Sequence, residues 1–304
     1  MTPEILSRMK PALETRSRVL QAIRDFFLGR GFIEVDTPVR IPAPALELHI
    51  DAEPSGDAFL RTSPELHMKR LLAAGYERIF QMGPCFRRGE RGRLHNPEFT
   101  MLEWYRLNAD YNDILADAKM LISFVAGKVL GGTSLTYRGQ RIELMPVWEC
   151  LSVEEAFLLH AGWDPVRKFD ADRFDLDLVG KVEPGLPLQC PVVLMDYPAE
   201  AAALARRKPG RPEVAERWEL YIGGMEIVNA FSELTDPVEQ RRRFEECAGE
   251  RKKAGREVYR VDEEFLKALE KGMPEAGGAA LGVDRLVMLF AGSDDIDGVR
   301  PFCT

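Results

Sequence analysis

The chain is poor in the side chains that many catalytic schemes require. Of its 304 residues only four are His (49, 67, 95 and 160) and five are Cys (85, 150, 190, 247 and 303). No two cysteines form a CxxC pair, so neither a zinc site nor a disulfide framework is expected. Their odd number suits a reducing compartment. There is no GxxxxGK[ST] loop, no GxGxxG opening a helix, no HExxH and no GxSxG elbow. No run of 18 apolar residues occurs, so no membrane span is expected. The opening MTPEILSRMKPALETRSRVLQ lacks the apolar stretch of a signal peptide, and the chain reads as cytoplasmic. Positive charge is not in excess: 41 Lys and Arg stand against 49 Asp and Glu, a net charge of −8. That excludes a polybasic binder and leaves room for a local basic groove.

What is present is the composition of a packed globule, 45% apolar and 30% charged. No repeat or long linker divides it, so one catalytic domain over 1–304 is expected, with a small insertion within about 131–215. Leu13, Leu20, Ile23, Phe26 and Phe27 mark an amphipathic helix over 12–28, stopped by Gly29 and Gly31. Strands are expected at 32–35, 78–81, 99–105 and 191–195, with a small-residue strand at 277–283. Helices are expected from a start at Thr62 or Ser63, over 111–129, at 152–160 with a Ser152–Glu155 capping box, at 199–206, 237–254 and 262–271, and from Asp284. Hairpins are expected at 131–146 and around Gly223-Gly224.

The second hairpin gives the sharpest geometric clue. A two-residue turn pairs Tyr221 with Glu226 and Glu219 with Val228, which puts two carboxylates on one face. A divalent ion bridging phosphates would relieve their repulsion, and so would plain solvent. Glu233 joins the Glu226 face only through a bend, at Ala230 for instance. Upstream, Arg87, Arg88, Arg91 and Arg93 crowd a Gly-containing loop suited to polyphosphate or RNA backbone, or to plain solvation. Arg87, at the strand exit, is the best placed for a fixed phosphate contact. His95 suits either a phosphate or a loop-locking hydrogen bond, and Phe99 either a base or the core. Glu103 and Tyr105 share an otherwise apolar face with Phe99 and Met101, which suggests a pocket for a cation. Arg285 opens a buried helix and needs either an acidic partner or a bound anion.

Three segments together resemble the motifs of class II aminoacyl-tRNA synthetases. They are Gly31 to Pro38 (motif 1), Phe86-Arg87 through Glu103 (motif 2) and Gly278 to Arg285 (motif 3). Thr62-Ser63-Pro64-Glu65-Leu66, His95 to Thr100 and the block from Glu219 to Asp236 look like the lysyl enzyme. Only 30 residues precede motif 1, too few for an anticodon-binding domain, and Ala280 stands where the lysyl enzyme has Gly. Both features, with Gly92-Arg93-Leu94-His95 and the run from Ala279 to Leu289, are similar to the elongation factor P–(R)-β-lysine ligase family (EpmA).

That resemblance implies an α+β fold, the class II catalytic domain, with a mostly antiparallel sheet flanked by helices. It implies an ATP-dependent, AMP-forming ligase that adenylates (R)-β-lysine or lysine and passes it to a lysine ε-amine of elongation factor P. It implies a homodimer through motif 1 and no binding to tRNA. Arg87 would hold the α-phosphate and substrate carboxylate, with His95 and Arg285 on the β- and γ-phosphates. Arg87 and Arg285 would carry catalysis. Phe99 would stack under adenine, and Glu90 would take the adenine contact because Gly89 replaces the motif 2 Glu. Glu219 and Glu226 would hold Mg²⁺. Glu65 and Glu103, beside Tyr105, would receive amino groups, Glu233 the distal ammonium and Asn229 the carboxylate end, with Ala280 shaping the pocket. Two other readings are a truncated lysyl-tRNA synthetase acting on tRNA and a non-catalytic synthetase paralogue.

Overall fold

The computed structural model describes residues 1–145, 147–202 and 204–303. Its main sheet runs in the order Ile33–Glu34, Arg78–Phe86, Glu98–Leu107, Ala276–Gly282, Met225–Ser232, Arg211–Ile222, Val192–Pro198, Glu149–Ser152. The two outermost pairings are parallel and the inner ones antiparallel. The protein is therefore α+β, with a mostly antiparallel sheet flanked by helices.

Alternation along these strands sorts the side chains to two faces. Phe80, Leu102, Trp104, Leu220, Val228, Ala230, Ala279 and Leu281 point to one side and are buried there. The helices Pro3–Leu28, Tyr111–Leu130 and Val283–Ala291 cover that face through Ile23, Phe26, Phe27, Ile114, Leu121, Ile122 and Val287. The other face carries the alternate positions, among them Gln81, Glu103, Asn229, Glu219 and Arg217, and helices Glu65–Ala73 and Pro237–Lys253 stand over it.

Most expected elements form, several of them longer than local pattern indicates. The first helix starts at Pro3 rather than at residue 12. Strands expected at 78–81 and 99–105 extend to Arg78–Phe86 and Glu98–Leu107, because each pairs with the other along its length. Ser152 and Glu155 form the expected capping box. The hairpin expected at 131–146 is Ser134–Tyr137 with Gln140–Glu143, and its last residue, Pro146, lies outside the described residues. Among the described residues the helix expected at 199–206 does not form. Ala199–Ala201 is a single 3₁₀ turn, and Ala203 lies outside the described residues. Arg207–Lys208 instead folds back on Arg211–Ile222 around Gly210, at φ 78°, so sheet pairing outweighs the helix preference of the alanines.

Candidate active site

The sheet register builds the site. One rung crosses four strands as Glu103, Ala280, Asn229 and Glu219. The rung two residues along reads Tyr105, Gly278, Phe231 and Arg217. Residues opposed on neighbouring strands share a face, so both rows floor one cavity of about 720 Å³. Ser63, Glu65 and Arg87 line the same cavity, and the 46–50 loop helps to roof it.

The hairpin register differs from the expected one by a bulge. Ile222 faces Met225 and Tyr221 faces Glu226, but the pairing then shifts, so Glu219 meets Asn229 and not Val228. Ile227 is the extra residue. Val228 turns into the core, and Asn229 and Phe231 come into phase with Glu219 and Arg217. The bend expected at Ala230 therefore lies at Ile227.

Glu65 and Glu103 line the far end of the cavity, and Glu233 is fully buried next to Lys69. Glu103 is buried and accepts hydrogen bonds from Ser63 Oγ at 2.5 Å and Tyr105 OH at 2.7 Å. Burial, with the nearby Glu65 charge, nonetheless pushes its carboxyl up to about 7. Ser63 also accepts from the Glu65 amide at 2.9 Å, but Pro64 is the N-cap of the helix Glu65–Ala73 and no side chain caps it, so the hydroxyl cap expected at Thr62 or Ser63 does not form. The Ser63 contacts still tie the start of that helix to the pocket. Lys69 Nζ lies 2.5 Å from Glu65 Oε1 and pairs with Glu233. The distal-ammonium partner proposed for Glu233 is thus already present within the chain. Gly278 permits this crowding, since a Cβ there would collide with the Tyr105 ring and stand 2.5 Å from Glu233 Oε1.

The opposite end is cationic. The Arg87 guanidinium lies 5.2 Å from the Phe99 ring centroid and 3.8 Å from Glu90. Its Nε is buried and has no hydrogen-bond acceptor among the described residues. Arg285 donates to the Glu226 carbonyl at 2.9 Å and to its carboxylate at 3.1 Å, and its other arm lies 2.6 Å from His95 Nε2. Burial, then the Arg285 charge, holds His95 below the usual imidazole range. His95 is therefore a neutral partner for Arg285 at pH 7, and any charge offered to a phosphate there comes from Arg285. The rest of the arginine loop is partly structural: Arg88 pairs with Glu257 at 3.3 Å, and Arg91 donates to Asn96 at 2.6 Å and pairs with Asp297. Asp284, next to Arg285, accepts from Arg16 at 2.5 Å and from the Thr100 amide at 2.8 Å, which fixes the start of the helix.

Glu219 accepts from Tyr197 at 2.6 Å, Tyr221 at 2.7 Å and Arg217 at 2.6 Å. The Tyr221 hydroxyl, whose proton goes to Glu219, also lies 3.2 Å from Glu183, and burial, reinforced by Glu219 and Glu226, pushes the Glu183 carboxyl up to about 7. No group of three or more His, Cys, Asp or Glu among the described residues is arranged to hold a metal unaided. The two hairpin acids suit an ion that draws its remaining ligands from phosphate oxygens, as Mg²⁺ does.

Sequence reasoning missed Ser63 as a partner of Glu103, and also Lys69, Glu183, Tyr197 and Arg217. Lys69 could have been found from its four-residue spacing from Glu65 on a helix, and Arg217 from its parity with Glu219. Tyr197 carries no such signal. It follows Asp196, which sits at φ 61° in a strand irregularity and is held there by Lys208 at 2.6 Å and Tyr111 at 3.0 Å.

Residues 5–304 match the family model described as tRNA synthetases class II (D, K and N). The chain is 40% identical to the lysine–tRNA ligase of Moorella thermoacetica over 330 residues, covering 100% of this chain and 66% of the relative. It is 40% identical to the lysine–tRNA ligase of Pelotomaculum thermopropionicum, covering 99% and 64%, and 38% identical to that of Clostridium perfringens, covering 97% and 64%. The chain thus spans just under two thirds of the length of these relatives. These findings correct the assignment to the elongation factor P–(R)-β-lysine ligase family, with elongation factor P as acceptor and tRNA excluded. The start of a chain says nothing of its chemistry, and a net charge of −8 is not a map of its surface. Ala280 adds one methyl to the floor between Glu103 and Asn229, which alters the pocket locally without selecting an acceptor. The expectation of an ATP-dependent ligase of the class II synthetase type agrees with the family found.

Proposed function

We propose that this chain, which belongs to the class II tRNA synthetases of the D, K and N group, activates lysine with ATP and transfers the lysyl group to tRNA. The observation that carries this reading is the polarity of one cavity. Carboxylates of Glu65 and Glu103 stand at one end and the partly unsatisfied Arg87 guanidinium at the other. A diamino acid has the complementary ends. The names of the relatives supply the acceptor. Cytoplasmic location goes with this reading, supported by five free cysteines and by the absence, among the described residues, of a helix long and apolar enough to cross a membrane.

In the first step the lysine carboxylate attacks the α-phosphorus of ATP and pyrophosphate leaves. The nucleophile is already ionised, so the protein positions and neutralises instead of removing a proton. Arg87 grips the carboxylate and α-phosphate, with Phe99 beneath the adenine and Glu90 at its edge. Asn229, held by Arg217 at 3.1 Å, orients the carboxylate. Arg285 leaves Glu226 for the outer phosphates, with His95 as its neutral neighbour. Glu219 and Glu226 would hold a Mg²⁺ ion, which would supply neutralising charge to those phosphates. In the second step a hydroxyl of the tRNA 3′ end attacks the adenylate carbonyl and AMP leaves.

The test is lysine-dependent exchange of pyrophosphate into ATP, followed by charging of purified tRNA. Lysine should support exchange at least about a thousandfold better than norleucine, because a site built for ammoniums is left with an unpaired carboxylate. No exchange with lysine would overturn the reading.

The site also predicts a pH dependence. Glu103 sits near 7 in the free protein, so it is mostly protonated below that pH and cannot pair with an ammonium. The lysine KM should fall about tenfold between pH 6 and pH 8, and binding near neutrality should release a proton. Calorimetry in buffers of different ionisation enthalpy reads the proton, and Glu103→Gln should flatten the pH slope.

A further inference from the structure

We propose that Lys69 sets the charge of the amino-acid pocket: its buried ammonium engages Glu65 and Glu233 and leaves two negative charges for the two ammoniums of a diamino substrate. This inference rests on the lysine-activating reading above. The Lys69 side chain is fully buried, as is that of Glu233. Its Nζ lies 2.5 Å from Glu65 Oε1, is paired with Glu233 and stands 5.1 Å from the Phe231 ring centroid. Glu65 and Lys69 share a helix face at i,i+4, so the helix that opens at the pocket also delivers its internal cation.

Glu65 and Glu103 line this end of the cavity and Glu233 is buried beside Lys69, so three carboxyls stand against one ammonium. In the free protein burial pushes Glu103 up to about 7 and Glu233 up to about 8, so the two net negative charges are those of the substrate-bound pocket. A buried ammonium is retained only where carboxylates surround it. Glu233 and Glu65 do so, and against burial they hold Lys69 above its usual range and therefore charged. Tyr105 also faces this end; its phenol is held well above its ordinary range by burial and the Glu103 charge, and so stays neutral. The buried Cys85 thiol, pushed up to about 12 by burial and the Glu103 charge, stays neutral too. Glu47 feels both ends: burial raises its carboxyl above the usual range, the Arg87 charge lowers it and the Glu65 charge raises it again. Without Lys69, three carboxylates would meet two ammoniums, and a proton would have to fill the misfit. Lys69 acts through Glu65 and Glu233 and is thus a positioning residue.

The experiment uses the full chain with Lys69→Met, Lys69→Arg, Glu233→Gln and the double variant Lys69→Met/Glu233→Gln, each read by lysine-dependent pyrophosphate exchange from pH 6 to pH 9. Lys69→Met should raise the lysine KM about a hundredfold with kcat changed less than about threefold, and its pH profile should gain an ionisation. Lys69→Arg should lack that ionisation. The double variant removes one charge of each sign and should recover at least about tenfold of the lost KM. If Lys69→Met does not fold, the double variant should still bind lysine better than Glu233→Gln, which leaves one negative charge too few. A double variant no better than either single variant overturns the inference while the wild type still exchanges with lysine. A wild type that fails to exchange brings down the reading beneath it as well.

Discussion

Arg87→Ala is expected to cut lysine-dependent pyrophosphate exchange about a thousandfold while moving the melting temperature by less than about 2 °C. The two halves of this expectation have separate causes. Arg87 contributes little to the fold through its side chain. Its guanidinium is 3.8 Å from Glu90, rests near Phe99 and leaves Nε without an acceptor among the described residues. The backbone contact that fixes the strand exit, from the Arg87 amide to the Pro97 carbonyl at 2.8 Å, survives the substitution. For the reaction the position is different. A donor aimed at the oxygens that gain charge in the transition state contributes about 3–4 kcal/mol. Arg87→Lys should recover only a small part, because an ammonium cannot grip two oxygens in a plane. Exchange rate and thermal melting on the same preparations check both halves, and activity within tenfold of the wild type would remove Arg87 from the centre of the site.

Much of this site could be read from local pattern because local pattern follows the strand period. Glu103 and Tyr105 lie two apart on one strand, and the Gly223-Gly224 turn fixes Tyr221 against Glu226. Alternation alone puts such pairs on one face. It fails where a residue is inserted. The bulge at Ile227 exchanges Val228 for Asn229, and nothing in Glu226-Ile227-Val228-Asn229 announces it. The missed residues show a second limit. Tyr197 reaches Glu219 only because its strand lies beside Arg211–Ile222, and Glu183 arrives from the stretch 161–190, where a π-helical turn, Leu178–Val182, leaves no usable periodicity. Lys69 is missed for another reason. The spacing to Glu65 is visible in the sequence, but that both partners are buried, and that Glu233 closes the cluster, follows from the fold.

The largest effect on stability is expected from Arg251→Met, a loss of about 4 kcal/mol and roughly 8 °C in melting temperature. The Arg251 side chain is fully buried, though it lies on a polar helix, and most of its acceptors are about 200 residues away in sequence. Its guanidinium donates to the carbonyls of Glu47 at 2.6 Å, Ile50 at 2.8 Å and Glu257 at 2.8 Å, and to the Asp51 carboxylate at 2.6 Å. The ring of Tyr259 lies 4.7 Å below it, and the Tyr259 hydroxyl in turn accepts from the Ala52 amide at 2.8 Å. Methionine fills much of the volume but leaves those carbonyls without their donor, and unsatisfied buried acceptors cost about 1–3 kcal/mol each. Asp51 keeps Arg256 at 3.0 Å, so the carboxylate is not stranded and the loss stays below the sum of the broken bonds. The same clamp holds the 46–50 loop over the cavity, and Asp51 passes it on by accepting the Arg88 amide at 2.7 Å, one residue from Arg87. The lysine KM should therefore rise with the loss of stability, whereas a surface arginine of the same helix, such as Arg241, should change neither when replaced by Met. Thermal melting and exchange kinetics on the two variants separate a clamp from an ordinary buried side chain: a stability loss with an unchanged KM would mean that the roof is held elsewhere.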